Sequence, residues 1–192
     1  MDYYLLYKPF GVHCQFRPEG DKPGLGSLYE FPKDVYPVGR LDADSEGLLL
    51  LTNDSRINKK FLDPANKHWR TYLIQVEGEI TKKALDQLRE GVSISIDGKI
   101  HRTRPARARK SEPPVLPERN PPIRFRKTVP DSWLELSLTE GKNRQVRKMT
   151  AAVGFPTLRL VRIRIEDLEM EDPAPGKVIQ LDRQNVYQKL KL

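Results

Sequence analysis

Residues 37–54 read PVGRLDADSEGLLLLTND, and the two halves of this stretch differ in character. The second half, residues 48–52, is a short apolar run bounded by turn residues, a pattern typical of a buried strand. The first half carries three carboxylates, which are rarely buried without a partner, at Asp42, Asp44 and Glu46. The stretch therefore predicts an acidic turn at the mouth of a core strand, where binding and catalytic residues are often found.

The acidic turn allows other interpretations on its own. It fits an ordinary solvated turn, and its spacing also matches the first half of an EF-hand calcium loop. Such a loop needs a bidentate acid at its twelfth position. Counted from Asp42 that position is Asn53, and the apolar strand between them cannot wrap an ion. Calcium is therefore excluded, whereas a magnesium-dependent phosphoesterase that uses the same acids stays open.

Length and composition limit the class of protein. The 192 residues, 38% of them hydrophobic, fit one domain or two closely packed lobes. The single cysteine, Cys14, cannot form an intramolecular disulfide and favours a reducing compartment. No positively charged leader or long apolar segment follows Met1, so we expect a cytoplasmic protein without a membrane span. The three histidines lie far apart and show no zinc-ligand spacing, so no metal is expected.

The net charge of +8 is concentrated in one region. Residues 99–164 hold 17 Lys and Arg against 5 Asp and Glu, whereas the rest of the chain holds 17 against 21. This asymmetry predicts one strongly basic surface, the electrostatic footprint of a nucleic-acid-binding protein.

The order of predicted elements indicates an α+β fold with a mixed, mainly antiparallel sheet and flanking helices. Five prolines in residues 111–122 predict a stiff extended loop. The segment from Val186 onwards is predicted to be loose, with residues 188–192 as a tail outside a single domain of residues 1–187. The apolar periodicity predicts strands over residues 3–7, 48–52, 70–78, 92–96, 99–110, 133–138 and 157–165, and helices over residues 28–31, 55–62, 82–90 and 143–153.

The predicted helix 143–153 carries cations where a helix does not favour them. Arg144 and Lys148 lie opposite its apolar face, and Arg147 lies at the border. Lys142 and Arg144 stand near its N-terminus, where the helix dipole disfavours cations by a few tenths of a kcal/mol each. An anion at this end would be bound by both the free amides and the side chains, and an RNA phosphate is the natural candidate.

Four motifs resemble those of a known family. Residues 39–49, GRLDADSEGLL, resemble the G-R-L-D-x-x-[ST]-x-G-[LIV]-[LM] signature of pseudouridine synthases. Residues 140–149, EGKNRQVRKM, resemble the E-G-[KR]-N-R-Q-[VI]-R-[RK]-M motif of the branch that modifies ribosomal RNA. Residues 70–72 and Lys8-Pro9 are similar to its middle and N-terminal motifs. The motifs reach to about residue 165, nearly the whole chain, and the N-terminal S4-type domain of many members is not expected here.

The resemblance implies isomerisation of a specific uridine to pseudouridine in large-subunit ribosomal RNA, in a catalytic fold of two lobes that share one sheet. Asp42 is then the catalytic aspartate, attacking the ribose or the base or acting through a glycal, and Arg147 keeps it ionised. Tyr72 stacks on the flipped uracil, and Arg40 holds open the vacated place. No cofactor is implied. The residues expected to hold RNA phosphates in a central cleft are Lys142, Arg144, Lys148, Arg102 and Arg104.

The alternative is a non-catalytic ribosomal-RNA-binding or ribosome-assembly protein. The basic surface fits it equally well, but it leaves Asp42 unexplained, because a carboxylate in an RNA groove repels phosphate. We expect a monomer in either case, since no dimerisation signal is present.

Overall fold

The computed structural model describes residues 1–123 and 128–192. Three of the basic residues counted above, Arg124, Arg126 and Lys127, lie outside them. The strands of the described part are β1 Tyr3–Lys8, β2 Tyr36–Pro37, β3 Glu46–Thr52, β4 Arg70–Glu77, β5 Ser93–Ile96, β6 Lys99–Arg102, β7 Arg107–Ser111, β8 Asp131–Leu138, β9 Thr157–Ile165 and β10 Val178–Gln180. The α-helices are α1 Ser55–Leu62, α2 Lys82–Glu90, α3 Gln145–Ala152 and α4 Arg183–Leu190.

Eight of these strands form one sheet, in the order β10-β1-β3-β9-β4-β8-β7 with β2 beside β3. All of its pairings are antiparallel except that of β3 with β9, which is parallel. Strands β5 and β6 form a separate hairpin. The predicted mixed, mainly antiparallel sheet of an α+β fold is therefore confirmed.

Alternating side chains on β1 belong to two different apolar clusters, as the two-residue period of a strand requires. Tyr3, Leu5 and Tyr7 join β3, β9, α1 and α4 in one cluster. Tyr4 and Leu6 pack with residues 12–35 on the opposite face. A third cluster joins β4 and β8 to α2 and α3. The central strands β3 and β9 are thus buried where the two halves of the sheet meet, and this is where the acidic turn lies.

Two predicted elements differ from the structure. Ser27 does not cap a helix, because it ends the short 3₁₀ turn Leu25–Ser27. The predicted strand over residues 99–110 is two strands, β6 and β7, in different sheets. Pro105 lies between them, and proline cannot donate a ladder hydrogen bond.

The predicted loose tail is also wrong, because residues 183–190 form α4. Asp182 caps this helix by accepting a hydrogen bond from the amide of Asn185 at 2.8 Å. Val186 and Leu190, one helical turn apart, are both fully buried. Within residues 1–123 and 128–192 no helix has the length and apolar character needed to cross a bilayer.

Candidate active site

The acidic turn is held in place by the loop that follows β1. The amide of Gly11 donates a hydrogen bond to the carbonyl of Ala43 at 2.8 Å. Lys8 is fully buried, and its Nζ donates to the carbonyls of Val12 at 2.8 Å and Ala43 at 3.3 Å. Burial lowers the pKa of Lys8 to about 8, so the ammonium still predominates at neutral pH. Lys8 of the Lys8-Pro9 motif therefore stabilises the position of the acidic turn.

The third acid of the turn has a structural role. Glu46 is only 2% exposed and lies within β3, two residues earlier than the predicted start of the strand. Arg159 on β9 donates to it from Nε at 2.9 Å and from Nη2 at 2.7 Å. This paired geometry gives strong, directional hydrogen bonds, and it fixes the turn to the neighbouring strand.

Gly47 allows β3 and β9 to approach closely. Its φ of +99° lies in the region that favours glycine, and a Cβ there would lie 2.2 Å from the carbonyl oxygen of Arg162. Gly47 pairs with Arg162 in the parallel ladder. The absence of a side chain at Gly47 therefore allows the acidic turn to lie this close to β9.

The two remaining acids share a pair of arginines from the start of α3. The side chain of Asp42 is 39% exposed, and its Oδ2 lies 3.8 Å from Nη1 of Arg144. Asp44 accepts two hydrogen bonds from Arg144, at 3.0 and 2.8 Å. Arg147 donates from Nη2 to the carbonyl of Asp44 at 2.6 Å, and its Nε lies 3.4 Å from that carboxylate. The family resemblance implies that Arg147 lies beside Asp42, but in the structure its contact is with Asp44.

Burial opposes ionisation of Asp44, yet the hydrogen bond from Arg144 and the charge of Arg147 lower its pKa. Burial also lowers the pKa of Arg147. Asp44 is therefore an ionised carboxylate held between two guanidinium groups.

A cleft of about 760 Å³ opens beside the turn. The structure brings seven of the nine predicted site residues into its lining, and two, Arg147 and Lys148, lie outside it. The seven that line it are Arg40, Asp42, Tyr72, Arg102, Arg104, Lys142 and Arg144.

Tyr72 reaches the cleft from β4. It is half-buried, and its cross-strand partners are Leu136 on β8 and Arg162 on β9. Its side chain packs against the apolar cluster of β4, β8, α2 and α3, and it also lines the cleft.

The sequence analysis did not identify Arg162, which also lines the cleft. Its side chain is on a central strand and it is 3% exposed. Nε donates to the carbonyl of Leu48 at 2.7 Å, but Nη2 is buried without a hydrogen-bond partner among the described residues. A buried guanidinium is costly to a fold unless it is paired, so Arg162 is a further candidate site residue in this cleft. The sequence feature that could have identified Arg162 is an arginine in the middle of a buried strand.

Glu140 connects the β5–β6 hairpin to the start of α3. It accepts hydrogen bonds from the amide of Arg104 at 2.8 Å and from Nε2 of Gln145 at 2.7 Å. His101 on β6 lies 3.2 Å from the same carboxylate. These contacts place Arg102 and Arg104 at the cleft.

The basic residues of β7 have other roles. Arg107 stacks on the ring of Trp69 at 4.1 Å, and Arg109 pairs with Glu135 at 2.6 Å. Lys110 pairs with Glu79. The single basic strand face expected over residues 99–110 is therefore divided between the cleft and surface ion pairs.

A half-exposed aspartate on a fixed turn, inside a cleft lined by arginine and lysine, is the arrangement expected of an enzyme that acts on a nucleic acid. Residues 2–152 match the family model described as RNA pseudouridylate synthase, and the chain belongs to that family of isomerases.

Among curated proteins, the chain is 53% identical over 174 residues to ribosomal large subunit pseudouridine synthase E of Xanthomonas axonopodis pv. citri, covering 89% of each chain. It is 46% identical to the synthase E of Vibrio parahaemolyticus, over 92% of this chain and 73% of that one. A solved pseudouridylate synthase superposes with a TM-score of 0.78 at 27% identity, over 98% of this chain and 73% of that chain. Human RNA pseudouridylate synthase domain containing 1, at 14% identity and a TM-score of 0.62 over 99% of this chain and 91% of that one, shares the fold.

Proposed function

We propose that this chain converts a specific uridine of large-subunit ribosomal RNA to pseudouridine, with Asp42 as the catalytic aspartate. The observation that carries the proposal is the half-exposed carboxylate of Asp42 in the same basic cleft as Tyr72. The relatives at 46–53% identity are named ribosomal large subunit pseudouridine synthase E, which supports large-subunit ribosomal RNA as the substrate here.

The isomerisation breaks the bond between ribose C1′ and uracil N1, turns the base, and forms a bond from C1′ to C5. C5 then loses its proton, and N1 takes up a proton. Asp42 acts as an anion, either as a nucleophile on the ribose or the base or as the base that forms a glycal. The guanidinium of Arg144 lies 3.8 Å from this carboxylate, and Arg162 lies in the same cleft lining. The reaction balances without an added electron, group donor or cofactor.

In this proposal Tyr72, which lines the same cleft, stacks on the uracil and helps to remove the C5 proton. The target base must leave its helix to enter the cleft, at a cost of a few kcal/mol. Arg40, exposed in the cleft lining, fills or holds open the vacated position. The phosphate contacts that position the RNA come from Lys142, Arg144, Lys148, Arg102 and Arg104.

The partner is ribosomal RNA, the compartment is the cytoplasm, and the working unit is a monomer. Residues 1–187 form a single catalytic domain in this proposal, extended by the last turn of α4.

Among the described residues, no group of three or more His, Cys, Asp and Glu side chains is arranged to hold a metal ion. We accordingly expect full activity in EDTA, whereas a metal-dependent phosphoesterase would lose it.

The test is release of tritium from a large-subunit ribosomal RNA transcript labelled at uracil C5. Wild-type protein should release the label to water, and Asp42→Asn should release none while RNA binding is largely retained. Asp86→Asn is the matched control, because Asp86 forms an ion pair with Arg89 and is not part of the cleft lining. Release by Asp42→Asn at the wild-type rate would refute the assignment, and a wild type that binds RNA without release would indicate the non-catalytic alternative.

A further inference from the structure

Asp44 has the shortest contacts to the arginines beside the nucleophile. Arg144 binds it through both Nη atoms, at 3.0 and 2.8 Å, whereas the same guanidinium is 3.8 Å from Asp42. Two parallel charge-assisted hydrogen bonds make this a strong and geometrically specific pair. Arg144 is thus bound to Asp44 and not to Asp42, the proposed catalytic residue.

The backbone of Arg144 supports this orientation. Its φ of +51° and ψ of +30° are left-handed, a conformation that is unfavourable for a residue other than glycine. The helix gains no side-chain cap from it. The pair with Asp44 offsets this cost, so the position of the guanidinium depends on that carboxylate.

Arg147 depends on Asp44 as well. Its side chain is only 15% exposed, and it contacts both the carbonyl and the carboxylate of Asp44. Its Nε is buried without a hydrogen bond among the described residues, so the nearby charge of Asp44 is its main compensation. The other carboxylate whose charge reaches both arginines is Asp42.

We propose that Asp44 is a positioning residue that holds Arg144 off Asp42 and so leaves the nucleophile open to the uridine. The proposal rests on the proposed function of Asp42. Without the charge of Asp44, Arg144 closes the gap to Asp42, forms a direct ion pair and covers the carboxylate. Arg144 still contributes to RNA binding, because a guanidinium has five N–H donors and Asp44 uses two.

The experiment is a double-mutant cycle on kcat, measured by tritium release at saturating transcript. Asp44→Asn should lower kcat by about 10- to 100-fold, because misplacing groups around a nucleophile has effects of this size. In the Arg144→Gln background the same substitution should lower kcat by less than about threefold, since the intruding cation is gone. KM should respond mainly to Arg144→Gln. A loss of kcat that is equal in both backgrounds overturns the proposal, as does no loss in either.

A second measurement does not depend on activity. In a crystal structure of Asp44→Asn, a guanidinium nitrogen of Arg144 should lie within about 3 Å of Asp42, and a separation that stays near 3.8 Å overturns the proposal. Should this variant not fold, Arg144→Lys replaces it, because an ammonium cannot form the two-point contact with Asp44. It should lower kcat by about tenfold, and an unchanged kcat overturns the proposal. A wild type without tritium release contradicts the proposed function instead.

Discussion

Arg162 is a buried cation in the lining of the cleft. Its Nε has one backbone acceptor and its Nη2 has no hydrogen-bond partner among the described residues. Replacing a buried charge with an apolar side chain of similar volume is often neutral for stability. A substitution at Arg162 can therefore test its effect on catalysis separately from its effect on stability.

For Arg162→Met we expect the free energy of unfolding to stay within about 1 kcal/mol of wild type, since only the bond to Leu48 is lost. Tritium release should fall by roughly 100-fold or more, because a preorganised cation in the cleft lining is lost. Urea denaturation and the release assay together check this. A variant that unfolds easily but keeps its activity would show that Arg162 serves the fold.

The roles of single residues were predictable from sequence to different degrees. Asp42 and Tyr72 lie on a turn and a strand whose patterns are local, and the structure places both in one cleft. The contact of Arg147 with Asp44 depends on how α3 docks against a turn about a hundred residues earlier, and no local pattern encodes that. Arg162 escaped notice because a strand pattern does not show whether an arginine has an acid beside it.

At the scale of elements, Asp54 joins three segments of the chain. It follows β3, caps α1 by accepting from the amide of Arg56, and is fully buried. Tyr3 on β1 and Tyr187 on α4 both donate to its carboxylate, at 2.9 and 2.8 Å. The side chain of Arg56 adds a two-point contact. α4 is therefore anchored to the first strand through one acid.

For Asp54→Asn we expect a loss of about 2–4 kcal/mol in the free energy of unfolding at pH 7. The hydrogen bond from Arg56, together with those from Tyr187 and Tyr3, lowers the pKa of Asp54 below its ordinary value. Because the folded-state pKa is the lower one, this stabilisation is complete above the unfolded pKa of about 3.9 and is lost as the pH falls below it. Denaturation at pH 7, 5 and 3 should show the gap to wild type narrowing only at the lowest pH.

Asp172→Asn is the control for this pH dependence. Lys177 also lowers the pKa of Asp172, but the Asp172 side chain is 88% exposed, so its removal should have little effect on stability. An equal change in both variants would mean that the buried contacts of Asp54 contribute nothing particular.

The elements themselves were largely predictable, except where the signal was not local. Thr81 accepts from the amide of Ala84 and Gly91 follows the helix, as expected for α2. α4 was missed because Val186 and Leu190 are only two apolar positions in a polar segment, and their burial depends on β1 and β3. β10 has only three residues, too few for a recognisable strand pattern, and it is a strand because it pairs with β1.

Across the whole molecule, the basic charge is divided between the cleft and the outer surface. Arg102 and Lys142 are exposed and line the cleft, whereas Arg109 and Lys110 are exposed on β7 and paired with acids. Counting charge along the sequence predicts an RNA-binding surface but does not show which residues form it.

Removing both Arg102 and Lys142 by alanine substitution should weaken RNA binding and reduce the slope of log Kd against log salt by about 1.4, since each phosphate contact contributes about 0.7. The matched pair Arg109→Ala and Lys110→Ala removes the same charge outside the cleft, and we expect a much smaller change in slope. Fluorescence anisotropy across a salt series measures both. Equal slopes for the two double variants would show that net charge, and not the cleft, governs binding.

Strand β1 has neighbours from opposite ends of the sequence, with β3 on one side and β10 on the other. Tyr4 is opposite Gln180, and Leu6 is opposite Val178. During translation one edge of β1 therefore stays unpaired until β10 has left the exit tunnel. An open strand edge is a template for pairing between nascent chains. Rapid completion of the chain, or shielding by a chaperone, thus favours a good yield of active protein.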